Sequence, residues 1–232
     1  MTLCSLFVVA NVPAGSRGGV SISAFQMGKY EVTQAQFNAE MGFNPSKAAW
    51  TGNDKPVGNV TAYEVLSFCN MLSVAEGLEP VYTLTNVVMD TGAYTSEIAG
   101  ATVSIDFGKN GYRLPNYDEW VYAALGGATT TYSWGTAIDA ATVGQYASYY
   151  SNSHDVMPSV GLKLPNGYGL YDMAGSVWEW ALVSTGPLTT YRCGGCINGD
   201  AASISPTNNN NMDPKLGGHW GYNDDGFRVA RK

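Results

Sequence analysis

The C-terminal stretch Tyr191–Arg231 constrains this chain more than any other. It is rich in Gly and Asn and lacks helical or strand periodicity until the closing Gly226-Phe227-Arg228-Val229-Ala230. A connection of this length is uncommon inside a compact domain unless it is functional or disordered. The blocks Arg192-Cys193-Gly194-Gly195 and Gly226-Phe227-Arg228-Val229 read as anchors at its two ends. The stretch is therefore expected to be ordered and displayed, with everything upstream as its scaffold.

Bulk composition narrows the class. Charged residues make up 13% and aromatics 12% of the 232 residues, a globular balance that excludes a disordered chain. The formal net charge of −7 argues against nucleic acid as a partner, because phosphate binding needs clustered Lys and Arg. No apolar run approaches the ~18 residues of a transmembrane helix, so no membrane span is expected. The opening Met1-Thr2-Leu3-Cys4 has no basic segment and no room for an apolar one, so no signal peptide is expected. A cytoplasmic origin is the default, with surface or phage display left open. Four scattered cysteines are too few for a disulfide scaffold.

Along the chain, Ser5–Val12 reads as the first strand and residues 19–27 as the second, separated by the breaker Pro13-Ala14-Gly15-Ser16. Thr33 with Gln36 predicts a capped helix ending by Gly42, and Thr61 with Glu64 predicts another running to Glu76. In the second, Ala62, Val65, Leu66, Cys69 and Leu72 share one face, which makes Cys69 a core thiol. Residues 81–107 read as strands. Asn116 with Glu119 predicts a third helix stopping at Gly126-Gly127, with Asp118 and Glu119 serving the cap and dipole rather than acid/base work. Residues 129–164 read as a long loop layer. The absence of regular strand–helix alternation points to an α+β class and one domain over residues 1–232.

The blocks Met27-Gly28-Lys29-Tyr30-Glu31-Val32-Thr33, Pro56-Val57-Gly58-Asn59-Val60-Thr61, Gly111-Tyr112-Arg113-Leu114-Pro115, Tyr132-Ser133-Trp134-Gly135, Asn166–Trp180 and Gly226–Arg231 occur in the order found in the formylglycine-generating enzyme (sulfatase-modifying factor) family. As a set over nearly the whole chain they resemble that family. The resemblance implies a C-type-lectin-like α+β fold with little regular secondary structure. It does not settle function, because one fold carries several.

Enzymes of the family oxidise a sulfatase cysteine using copper held by two C-terminal cysteines. Laying Cys196 on the family's Arg-Gly-Gly-Ser serine puts Gly199 and Ile204 at those positions, and neither offers the soft thiolate that copper(I) prefers. Cys193 and Cys196 form a C-x-x-C, for which a structural role, a redox or disulfide pair, and a metal site all stay open. The family also binds calcium near its Gly-Asn-Val-Trp-Glu-Trp block, which nominates Glu179 and Ser176, with serine replacing the stronger Asn ligand. An iron-dependent relative would need His154 and His219.

A second branch of the fold is the variable protein of diversity-generating retroelements, in which Asn codons of a C-terminal region are randomised. The tail resembles that branch in lacking the copper cysteines, in its run Asn208–Asn211 and in its closing Gly-Phe-Arg-Val-Ala-Arg. That resemblance implies a non-catalytic, receptor-like protein displaying residues 191–231 to a protein or glycan ligand. Its nominated ligand-binding residues are Ile197, Asn198, Asp200, Ser203, Ser205, Thr207, Asn208, Asn209, Asn210, Asn211, Trp220, Tyr222, Asn223 and Asp224. Trp220 and Tyr222 would be the anchors. The competing reading is a copper-dependent oxidase acting on a cysteine substrate.

Overall fold

The computed structural model describes residues 7–89, 98–183, 188–215 and 224–232. Cys4 and the start of the expected first strand lie outside the described residues, as do His219, Trp220, Tyr222 and Asn223.

Strands carry the frame. β1 (Val9–Val12), β4 (Phe25–Gly28) and β11 (Ala230–Arg231) form a sheet with β4 in the middle, antiparallel to both neighbours. β10 (Asp225–Gly226), β7 (Trp178–Leu182), β8 (Thr190–Cys193) and β9 (Asn209–Met212) form a second sheet in that order, with only the β10–β7 pair parallel. Two antiparallel hairpins complete the set, β2 (Gly15–Arg17) with β3 (Val20–Ile22) and β5 (Tyr82–Met89) with β6 (Ile98–Ile105).

Three helices start where cap chemistry places them. α1 (Gln34–Met41) follows Thr33, whose Oγ1 accepts from the Gln36 amide at 3.3 Å while Gln36 Oε1 accepts from the Thr33 amide at 2.9 Å. α2 (Ala62–Ala75) repeats the box with Thr61 and Glu64, at 3.2 and 2.7 Å. α3 (Tyr117–Leu125) has it in Asn116 and Glu119, both bonds at 2.8 Å, and stops at Gly126. Each box satisfies two main-chain donors that a helix start otherwise leaves unpaired.

The core is organised by β7, all five residues of which are buried. Its pleat divides them. Trp180 and Leu182 join Phe37, Phe68, Phe227 and the apolar face of α2, where Cys69 is fully enclosed. On the other side Ala181 joins Trp120 and Val121 of α3, and Glu179 accepts from Trp120 Nε1 at 2.7 Å. A strand covered on both faces holds both cores in register, so the chain entering and leaving its sheet is fixed by them.

Three expectations are corrected. The breaker at residues 13–16 is not a turn between two strands, because Gly15 and Ser16 already belong to β2. The turn falls at Gly18-Gly19, with φ of 54° and 84°, a conformation glycine adopts without a Cβ penalty. The second expected strand is accordingly two, β3 and β4. The loop layer at 129–164 contains α4 (Ala140–Tyr146), capped by Asp139 Oδ1 accepting from Thr142 at 2.9 Å, and the one-turn α5 (Tyr150–Ser153).

Candidate ligand-binding surface

The tail leaves the core along β8. Arg192 Nη1 meets Asp225 Oδ1 at 3.0 Å, and its guanidinium lies 5.0 Å from the centroid of the Trp178 indole. Gly194 and Gly195 follow with φ of 86° and 72°. A Cβ on Gly194 would stand 2.8 Å from the Trp120 ring, and one on Gly195 2.8 Å from the Ile204 Cα. The Arg-Cys-Gly-Gly anchor is thus a tight left-handed turn pressed onto α3.

Beyond it the chain is pinned by its main chain. Ile197 N donates to Ser176 O at 2.7 Å, Gly199 O accepts from Tyr150 N at 3.0 Å, and Ala201 O accepts from the Tyr132 hydroxyl at 2.9 Å. Asp200 caps the next turn, accepting from Ser203 N at 2.8 Å, and this bond holds its carboxyl below the ordinary range. The Asn208 amide donates to Ser203 O. Asn209 to Asn211 then pair with Cys193 to Tyr191 in the β8–β9 ladder. Asn209–Asn211 therefore belong to a strand that is the edge of its sheet among the described residues.

The nominated residues divide accordingly. Asn198, Asp200, Thr207, Asn210 and Asn211 are exposed, and Ser203, Ser205, Asn208 and Asn209 are half-buried. The side chains of Asn198, Asn210 and Asn211 make no hydrogen bond among the described residues. Ser203, Asn208 and Asn209 are engaged locally, with Asn209 Nδ2 donating to the Tyr117 hydroxyl at 2.8 Å. Two nominations are corrected. Ile197 is fully buried against Trp50, Met157 and Val177, so it has no face to present. Asp224 is buried, and its carbonyl accepts from Trp178 N at 2.8 Å.

Three half-buried scaffold side chains that the sequence did not nominate join this surface. The Tyr117 and Tyr191 rings meet edge to face at 5.2 Å, and the Arg17 guanidinium lies 5.1 Å over Tyr117. They come from β2, α3 and β8, so no spacing rule in the sequence could have gathered them.

Gly199 and Ile204, the positions that the family resemblance assigns to copper, are neighbours in space. A Cβ on Gly199 would lie 3.4 Å from Ile204 Cγ2, so a glycine and an isoleucine methyl stand where two thiolates would. Cys193 is enclosed, its thiol pushed well up by burial, and Cys196 is pushed up to about 12 by burial and by Asp224. Both are unbridged and held as thiols, the opposite of a reactive pair.

Glu179 and Ser176 do not fit a calcium ion either. Glu179 takes Arg228 Nη2 at 2.6 Å and Arg228 Nε and Trp120 Nε1 at 2.7 Å each, while Ser176 Oγ donates to Glu31 at 3.2 Å. These residues form a buried core cluster, in which Arg228 also faces Glu31 and Asp172. His154 is exposed at the end of α5, and no group of three His, Cys, Asp or Glu among the described residues is placed to hold a metal. No helix among them is long and apolar enough to cross a membrane.

A C-type-lectin-like α+β fold with an irregular, outward-facing C-terminal segment is the class this architecture defines. Residues 10–232 match the sulfatase-modifying factor enzyme 1-like domain, and the chain belongs to that family. It is similar over 97% of its length to Treponema denticola variable protein 1, covering 93% of that chain at 30% identity with a TM-score of 0.77. The chaperone protein LppX of Paenibacillus barcinonensis is 37% identical over 194 residues, 75% of this chain and 68% of that protein. The formylglycine-generating enzyme of Mycobacterium tuberculosis is 42% identical over 79 residues, only 30% of this chain and 26% of that enzyme.

Proposed function

We propose that this protein is a non-catalytic, receptor-like binding module that presents its C-terminal segment to a macromolecular ligand. The observation that carries the reading is the exchange at Gly199 and Ile204. The oxidase's copper positions are brought together but hold no sulfur, while Asn198, Asp200, Thr207, Asn210 and Asn211 face outward around them. Amide, hydroxyl and tyrosine side chains on a fixed main chain are the composition of paratopes, which combine rigid rings with adaptable hydrogen bonds.

Likeness to a variable protein over almost the whole chain supports diversification of this segment through Asn codons. A protein ligand is favoured over a glycan, because the Paenibacillus relative is described as a chaperone.

Two measurements test the proposal. Sequencing the 3′ end of the gene across isolates should show substitutions confined to the codons of the outward-facing tail residues, beside a reverse transcriptase gene. Copper(I) titration of the reduced protein should give no stoichiometric binding. Tight stoichiometric binding lost in Cys196→Ala would overturn the binding-only reading.

A further inference from the structure

A cavity of about 260 Å³ is built from residues 148–163 alone, so none of its lining belongs to 191–231. Three lining residues are apolar, Val156, Pro158 and Leu162, and two of them stand in the open, Val156 at 61% and Leu162 at 68% exposure. The others, Ser148, Asn152, Ser153 and Lys163, are polar. The main chain fixes both groups. Ser148 O accepts from Ser176 N at 2.8 Å, Val160 N donates to Asp54 O at 2.9 Å, and Leu164 N donates to Gln145 O at 2.8 Å. A site held in this way is preformed, which lowers the ordering cost of binding.

The polar lining divides into engaged and unengaged groups. Asn152 Oδ1 accepts from Tyr149 N and its Nδ2 donates to Ala147 O, both at 2.9 Å, and Ser153 Oγ donates to Ile197 O at 3.2 Å. Ser148 differs. It is only 5% exposed, yet its Oγ makes no hydrogen bond among the described residues, where a buried hydroxyl ordinarily has a partner. Lys163 Nζ donates to Gly144 O at 2.8 Å, which uses one of its three N–H groups.

Lys163 also forms no ion pair among the described residues, in a chain of formal net charge −7. The carboxylates of neighbouring segments are committed elsewhere. Asp172, which acts on Lys163 at longer range, accepts from Gly161 N at 2.5 Å and faces Arg228. Asp155 pairs with Lys47 at 3.5 Å, and Asp54 accepts from Ser159 Oγ at 2.7 Å.

These groups select the occupant. A metal cation would meet the Lys163 ammonium, and inorganic phosphate would leave the apolar residues wet. No aromatic ring lines the cavity to stack a planar ligand. The volume lies below the roughly 300–1,000 Å³ of sites for drug-sized ligands. What remains is a small anion with a hydrocarbon body.

We infer that this cavity binds the carboxylate of a small aliphatic acid, with Lys163 and the Ser148 hydroxyl as donors and Val156 and Leu162 against the hydrocarbon. A free acid and the aliphatic C-terminal residue of a peptide offer the same chemistry. The site does not depend on the role of the tail.

The test is an NMR titration of the full chain with isovalerate at pH 7 and fixed ionic strength, beside 3-methylbutanamide and acetate. Isovalerate should shift the amides of Ser148, Ser153 and Lys163 with a Kd on the order of 1 mM. The neutral amide should bind at least about fivefold more weakly, and acetate, which lacks the isopropyl group, at least about tenfold. Ser148→Ala breaks no internal hydrogen bond and should weaken isovalerate about fivefold. Lys163→Met keeps most of the stem and should weaken it about tenfold or more; Ser148→Ala keeps the test decisive where loss of the Gly144 bond loosens α4. Gly-Gly-Val, run against its C-terminal amide, distinguishes the sources: the tighter of isovalerate and the peptide identifies free acid or chain end. Three results would overturn the inference: no saturable shift at these residues with either carboxylate up to about 50 mM, equal affinity for acid and amide, or affinity unchanged in both variants.

Discussion

The Glu179→Gln variant tests whether the buried cluster around Arg228 holds the two cores together. Both residues are essentially inaccessible, at 1% and 0% exposure, and Glu179 accepts two bonds from Arg228 and one from Trp120. A glutamine retains one acceptor oxygen and turns an amide nitrogen toward donors, so at least one short bond becomes a donor–donor contact. Removing one partner of a buried ion pair costs about 3–5 kcal/mol.

Part of that cost is recovered from a neighbour. Burial, then the negative charges of Asp172 and Glu179, push the Glu31 carboxyl well above its ordinary 4.5. Without the Glu179 charge, Glu31 ionises at lower pH and faces Arg228 in its place. The net loss should sit near the lower figure, about 3 kcal/mol near neutral pH. Its pH dependence has a fixed sign. In the window above pH 4.5 the folded variant holds fewer protons than the folded wild type, so its stability falls less steeply as pH rises. The difference between the two proteins therefore shrinks from about pH 5 to about pH 7.5. Urea unfolding followed by the fluorescence of the buried Trp120 and Trp180 measures it at both values. A loss below about 1 kcal/mol, the scale of a surface pair, or a gap that widens with pH, would refute the reasoning.

Asp225 gives a second pH signature. Burial raises its carboxyl from 3.8 to about 7 against the lowering effect of Arg192. Its contribution to stability is complete below the unfolded value and is lost as pH rises through about 7, so thermal scans between those limits should slope less in Asp225→Asn than in wild type; equal slopes would refute it. Gly195→Ala forces a left-handed residue at φ 72° with its Cβ 2.8 Å from the Ile204 Cα. It should cost at least about 2 kcal/mol, and an unchanged melting temperature would remove the anchor role of this turn.

Local chemistry was legible in the sequence. The three capping boxes need only a Thr or Asn and a Glu or Gln three residues on, so Thr33, Thr61 and Asn116 marked their helices without reference to the rest of the chain. The one-sided apolar pattern of α2 likewise marked its buried face. Pairing was less legible. The Gly18-Gly19 turn is masked by the stronger breaker signal of Pro13, and α4 is hidden because Ala-Ala-Thr-Val-Gly-Gln-Tyr offers a single fully buried side chain, Val143, to signal a period. Asn209–Asn211 oppose their own β propensity, and the strand there is imposed by β8. In the candidate surface, Ile197 stands among polar neighbours, and an isolated aliphatic in such a run is a peg into the core. The Arg192–Asp225 pair, and the meeting of Tyr117 with Tyr191, join residues far apart in the chain and leave no trace in spacing.

That ion pair also has an evolutionary consequence. The pair joins β8 to β10, and between them the chain returns to the same sheet as β9, so Arg192 and Asp225 tie together the two ends of a segment that is also pinned along its way. Lineages of this protein can therefore exchange the outward letters Asn198, Asp200, Thr207, Asn210 and Asn211, while the knot at Arg192 and Asp225, the Gly194-Gly195 turn and the pegs Ile197 and Ile204 are the parts that must not change.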